Sequence, residues 1–188
     1  LFSGNAMVID KDDYFILQQH DVSVVHCPAS NMKLGSGIAP IYSMKEQGIN
    51  ICLGTDGPAS NNSLDMFREM YLASLLQKVN LYDTSAMPSD YLLKMATING
   101  AKALNLNDKI GSIEEGKLAD LIIIDLNEVT LNPINDIFSN VVYNVKGSNV
   151  DTTIINGKIL MENRKLNIDI DEFEIYKKCT EIINRISN

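Results

Sequence analysis

The sequence predicts an α/β protein in two parts: about 105 residues of alternating helix and strand, then a small antiparallel β unit. Three observations carry this. Apolar, β-branched runs stop on His26 and Asp56, 30 residues apart, about one βα period. Helix-like segments lie between and after them. Beyond about residue 112 the pattern changes to short β-rich runs broken by Gly and Asn, with the hairpin signal Asn156-Gly157-Lys158.

The elements follow in order. "DKDDYFILQQHD" (10–21) reads as a short helix with acids in its first turn, where they favour the helix dipole. "VSVVH" (22–26) reads as a buried strand and "CPASNMKLGSG" (27–37) as loop. Residues 38–47 read as a helix stopped by Gly48, and "INICLGTD" (49–56) as a second buried strand. Leu64 to Val79 has helical spacing, with Leu64, Phe67, Leu72, Leu75 and Leu76 near one face. Ser89 is a candidate N-cap for "DYLLKMATINGAKALN" (90–105). "ADLIIIDL", "NVVYNVKG", "VDTTIINGKIL" and "RKLNID" then supply β-rich runs, and a helix over about 171–186 closes the chain. The expected parts are 7–105, 106–170 and 171–188, with a loop-like boundary near 105–112 and no internal repeat. Two strands do not close a sheet, so the first part reads as a portion of something larger. "LFSGNA" (1–6), ahead of Met7, is expected to be a tag remnant outside the domain.

Bulk composition narrows the function classes. The 188 residues carry a formal charge of -8 and a pI near 4.7, which argues against nucleic acid or an anionic membrane as the main partner. Hydrophobic content of 45% and charged content of 21% suit a soluble globular chain. Cys27, Cys52 and Cys179 have no CxxC spacing and fit reduced thiols in a cytosolic protein. No apolar run approaches the roughly 20 residues of a membrane span.

His26 and Asp56 sit where parallel strands of βα units end, and chemistry gathers at such ends. An aspartate there suits a metal or a proton acceptor toward bound water. It equally suits a turn, because Asp-Gly is a common turn pair. His26 is open in the same way to a structural, hydrogen-bonded role. Position alone names no reaction.

Three longer segments do. "VVHCPASNMKLGSGIAPI" (24–41), "LGTDGPASNNSLDMFREMYLASLLQK" (53–78) and "GSIEEGKLADLIIIDL" (111–126) resemble consecutive segments of the amidohydrolase superfamily. The nearest likeness is to the 5-methylthioadenosine/S-adenosylhomocysteine deaminases and their chlorohydrolase relatives, over nearly all of residues 8–165. The resemblance implies a (β/α)8 barrel, a TIM barrel, joined to a small β-sandwich built from both chain ends. This chain would supply the seventh and eighth strands and the C-terminal share of the sandwich. Asp56 would be the eighth-strand carboxylate that ligates or contacts one divalent metal, zinc by expectation, and takes a proton from its water. His26 would stand in the loop after strand seven in a pocket-shaping role, and Ser60 and Asn61 would line the substrate pocket.

The departures from the family pattern matter as much. Its other metal-site residues are an HxH pair after strand one, a histidine after strand five with a nearby glutamate, and a histidine after strand six. This chain has two histidines, His20 and His26, and Asn5 stands where the strand-six histidine would fall. The expectation is therefore a C-terminal fragment of a nucleoside deaminase, without metal or activity by itself. It would self-associate through the open edge of its seventh strand or pair with the missing N-terminal part. A chlorohydrolase, a guanine deaminase or another aminated-ring amidohydrolase is the sister reading. A non-catalytic interaction module is a third.

Overall fold

In the computed structural model, residues 2–4, 6 and 9–186 are described, with the backbone alone at 2–4 and 11. A parallel sheet runs in the order β1 (Phe2–Gly4), β2 (Ser23–His26) and β3 (Ile51–Leu53), with Gly4 beside Val25 and His26 beside Leu53. Each crossover is helical, as parallel pairing demands. Helix α1 (Lys11–Gln19) joins β1 to β2; α2 (Pro28–Lys33) and α3 (Ile41–Glu46) join β2 to β3. After β3 come α4 (Pro58–Asn61), α5 (Met66–Leu81), α6 (Ser89–Ala96) and α7 (Ile98–Ala103).

The second part is an antiparallel sheet in the order β4 (Leu121–Ile124), β5 (Val150–Ile155), β6 (Lys158–Glu162), β7 (Lys165–Leu166). Asn156 and Gly157, both at positive φ, turn β5 into β6 as the hairpin signal predicts. Helix α8 (Ile137–Tyr143) leaves this sheet and packs on α5 and α6, and α9 (Glu172–Ile186) closes the described chain.

Local chemistry explains the starts and stops. Asp10 caps α1 by accepting from the Asp12 and Asp13 amides, while Asp13 reaches back to the Asp10 amide. Asp65 caps α5 by accepting from the Phe67 and Arg68 amides. Gly48 ends the α3 segment at φ +74. The core gathers Val24, Ile41, Met44, Ile51, Met70, Leu92 and Met95 between the parallel sheet and the helices. By contrast, Ile122, Ile123, Ile155, Ile159 and Leu166 on the antiparallel sheet are exposed, and none of the described α9 side chains is buried.

Several expectations need correction. Residues 2–4, assigned to a tag remnant, pair with β2 as an edge strand; Asn5 and Met7 lie outside the described residues. Since β1 covers one side of β2, the open edges belong to β1 and β3, not to the strand expected to be exposed. The loop read at 27–37 contains α2, because Pro28 at the first helical position already holds a helical φ. The helix read over 90–105 breaks at Thr97, and its cap is Pro88 rather than Ser89. "NVVYNVKG" holds part of a helix, not a strand: Asp136 caps it at the Ser139 amide, and burial of Asn140 and Val142 overrides the β-branched preference.

Helix α5 is turned relative to its leucine stripe. Leu64 and Leu75 are exposed, whereas Phe67, Glu69, Met70, Ala73, Ser74 and Gln77 are buried. The polar members of that face are satisfied: Gln77 donates to the Ala39 carbonyl at 3.0 Å, and Ser74 bonds the Tyr143 hydroxyl at 2.6 Å. Met70→Ala should therefore cost about 2–5 kcal/mol in urea unfolding. Leu64→Ala, preceding the helix and 65% exposed, should stay within about 0.5 kcal/mol. The reverse ranking would restore the leucine face.

Candidate functional site

The carboxyl ends of β2 and β3 stand side by side, and each continues into the same tetrapeptide. Pro28-Ala29-Ser30-Asn31 follows β2 and Pro58-Ala59-Ser60-Asn61 follows β3. Each forms a short helix with proline at its first position. Paired strands followed by identical turns bring the two serines to one place, and that place is Asp56.

Asp56 lies outside β3 in the left-handed region, at φ +59. Aspartate tolerates this conformation better than most residues, and non-glycine residues held there cluster at functional sites. Close packing precedes it: a Cβ on Gly54 would fall 2.8 Å from Val25 Cγ1 and 3.2 Å from Cys27 Sγ, so the strand ends approach only as glycine permits. Ser30 Oγ donates to Asp56 Oδ2 at 2.6 Å and Ser60 Oγ at 2.8 Å; the Gly57 amide donates to Oδ1 at 2.8 Å. Oδ2 thus has two hydrogen bonds and Oδ1 one, which leaves Oδ1 the freer acceptor. The Ser30 hydroxyl, then Ser60 and the Gly57 amide, hold the carboxyl below the usual aspartate range. Asp56 is exposed and ionised at neutral pH.

The other predicted residues are placed differently from one another. Ser60 reaches Asp56 directly. Asn61 is buried; its amide donates to the Thr55 carbonyl at 2.5 Å and to Glu69 Oε1 at 2.8 Å. His26 is the last residue of β2, not a loop residue, and is 1% exposed. Among the described residues neither ring nitrogen has a hydrogen-bond partner, which corrects the hydrogen-bonded alternative left open by the sequence. Burial lowers its pKa to about 4, so the ring is neutral at physiological pH. Burial, followed by the Asp56 and Glu69 charges, pushes the Cys27 thiol up to about 11 and leaves it a poor nucleophile at neutral pH. His20 caps the C-terminal end of α1 and is exposed.

Sequence reading missed Ser30 and Glu69. The signal for Ser30 was the repeated PASN tetrapeptide; Glu69 carried none, because one acid on a charged, amphipathic helix looks like a solvated side chain. Among the described residues no three His, Cys, Asp or Glu side chains are grouped as metal ligands. The donors around Asp56 are hydroxyls and amides, which occupy a carboxylate rather than complete a coordination shell. These residues do not by themselves fit a catalytic metal, which takes about three protein ligands.

Parallel strands whose carboxyl ends carry a held carboxylate define an α/β protein with a candidate site at the strand ends, and comparison with known proteins makes the class specific. The chain belongs to the amidohydrolase family, whose model matches residues 4–160. It is 46% identical over 184 residues to the 5-methylthioadenosine/S-adenosylhomocysteine deaminase of Caldanaerobacter subterraneus subsp. tengcongensis, covering 96% of this chain and 42% of that protein. It is 48% identical over 185 residues to the 5'-deoxyadenosine deaminase of Methanobrevibacter smithii, covering 98% and 42%. Among solved structures, an adenosine deaminase from Xanthomonas campestris with bound zinc superposes with a TM-score of 0.95 at 36% identity, over all of this chain and 42% of that one. An atrazine chlorohydrolase from Arthrobacter aurescens complexed with zinc gives 0.87 at 26% identity, over 97% and 40%. The chain thus spans about two fifths of the length of the relatives it matches.

The buried histidine supplies a measurable consequence. Its lowered pKa means that the unfolded chain binds a proton between the ordinary value of 6.5 and about 4, where the folded chain resists it. Stability from this group is present above pH 6.5 and is lost as pH falls toward 4, by about 3 kcal/mol in full. His26→Leu orphans no partner among the described residues and should flatten that part of the urea-stability profile. A variant profile parallel to the wild type would mean that His26 is solvated.

Proposed function

We propose that this chain provides the carboxylate side of the active site of a hydrolase that deaminates the adenine ring of S-adenosylhomocysteine, 5-methylthioadenosine or a related nucleoside. The observation that carries it is the ionised Asp56, held by three donors at a parallel strand end with Oδ1 left the freer. In such a hydrolysis water adds to the ring carbon, a C–O bond forms, the C–N bond breaks, and ammonia leaves. Asp56 is the group suited to take the water proton and pass it toward the leaving amine. The buried, neutral His26 shapes the floor beside it, while Ser60 holds the carboxylate. The names of the relatives and the PASN context favour the nucleoside reading over a chlorohydrolase or guanine deaminase.

In this reading β1, β2 and β3 are the sixth to eighth strands of a (β/α)8 barrel, and the antiparallel sheet is its share of a β-sandwich. The protein would work in the cytoplasm, and the metal carried by the solved relatives would need ligands beyond the 188 residues. The isolated chain should show no tight, stoichiometric zinc binding by calorimetry and no ammonia release from the three nucleosides. Residues 4–160, grafted in place of the matched segment of the Caldanaerobacter relative with Asn5→His, should restore turnover. Asp56→Asn in that chimera should lower kcat by about 10²-fold or more. Full activity of the Asp56→Asn chimera would refute the assignment.

The exposed apolar residues of the antiparallel sheet and α9 favour a further property, association. The chain should form dimers or larger species in light scattering at high concentration. Adding the N-terminal three fifths of a relative should compete with that association. A monomer at every concentration would exclude it, and would also count against an interaction-module role.

A further inference from the structure

Glu69 is 0% exposed, yet it is an acid, in the first turn of α5. Its two oxygens reach different turns. Oε2 accepts from the Ala29 amide at 3.1 Å, and Oε1 accepts from Asn61 Nδ2 at 2.8 Å. Ala29 is the neighbour of Ser30, and Asn61 is the neighbour of Ser60. The two residues next to the Asp56 donors are therefore tied to one carboxylate. Asn61 adds a third tie, to the carbonyl of Thr55, the residue before Asp56.

We propose that Glu69 is the positioning residue of the Asp56 site: its carboxylate sets the spacing of the two PASN turns at which both serine hydroxyls converge on Asp56 Oδ2. The proposal deepens the deaminase reading and rests on it for its meaning in turnover, but the geometry it asserts is measurable without turnover. Only a carboxylate fits. Both partners are donors, and a backbone amide cannot reverse. A glutamine at 69 must aim its NH2 at Asn61, which must then flip its own amide. The flip takes the Asn61 NH2 away from Thr55 and removes the acceptor that Arg68 Nη1 uses at 3.2 Å. One atom changed in Glu69 thus disturbs the turn that carries Ser60 and the backbone before Asp56.

Charge and position make opposite predictions for Glu69→Gln. Removing a nearby negative charge would lower the pKa of Asp56 or leave it unchanged. Loss of the hydroxyl donors would raise it. The test is an NMR titration of the Asp56 carboxyl in the 188-residue chain, with Ser30→Ala and Ser60→Ala as the scale. We expect E69Q to raise the Asp56 pKa by roughly half a unit or more. In the Ser30→Ala/Ser60→Ala background the same change should have no further effect, because the donors it positions are gone. A fall, no change, or an equal rise in that background would overturn the proposal. If E69Q does not fold, Asn61→Ala, which frees the second turn and leaves the Ala29 bond intact, must give the same rise. A rise together with unimpaired turnover in the Asp56→Asn chimera would retain the positioning role and remove only the catalytic reading of Asp56.

Discussion

The parallel pairing of β2 with β3 is the constraint from which the site follows. With His26 opposite Leu53, both strands end at the same level; Cys27 alone separates β2 from its PASN turn, and Gly54 to Gly57 separate β3 from the other. A slip of register would carry the second turn more than 3 Å along the strand. At 2.6 and 2.8 Å the serine bonds to Asp56 have no tolerance for such a slip. Gly54 permits the close approach, and Cys52 adds a weak bond from its thiol to the Val24 carbonyl across the same pair. Sheet register, an ordinary folding property, is here also the geometry of the Asp56 carboxylate.

Two ties then close the arrangement from opposite sides. On the buried side Glu69 bridges Ala29 and Asn61; on the exposed side Lys33 donates to the Ala59 carbonyl at 2.8 Å and to Asn62. The two differ in energetic weight. The lysine is a surface group, and its bonds compete with water. Glu69 is desolvated, and burial raises its pKa against the two hydrogen bonds that lower it. A buried acid of this kind is costly to keep and more costly to unpair, so its partners are held in place.

How much of this was legible in the sequence depends on the scale of the interaction. His26 and Asp56 were visible because a polar residue ending an apolar run is a local pattern. The hairpin at Asn156-Gly157 was visible because a left-handed turn needs particular residues. Phe2–Gly4 was not, since three residues have no period and their strand exists only through β2. The buried face of α5 was misjudged because leucine spacing was weighed and side-chain partners were not: Glu69, Ser74 and Gln77 go inward since acceptors and donors wait for them there. Ser30 was hidden by its distance of 26 residues from Asp56, although the repeated tetrapeptide held the clue.

The same hydrogen bonds limit what Asp56 can do. A carboxylate with a depressed pKa is a weak base, and it takes a proton well only from a donor that is itself acidic. Two hydroxyls and an amide also restrain its plane and leave Oδ1 the freer oxygen. Such a group carries fixed charge at a defined point. His26 complements it. A neutral ring at the neighbouring strand end adds no charge to compete with that carboxylate, and among the described residues its buried nitrogens have no hydrogen-bond partner. Among the described residues, the unused acceptor capacity of the exposed Asp56 carboxylate is what this end of the sheet leaves open.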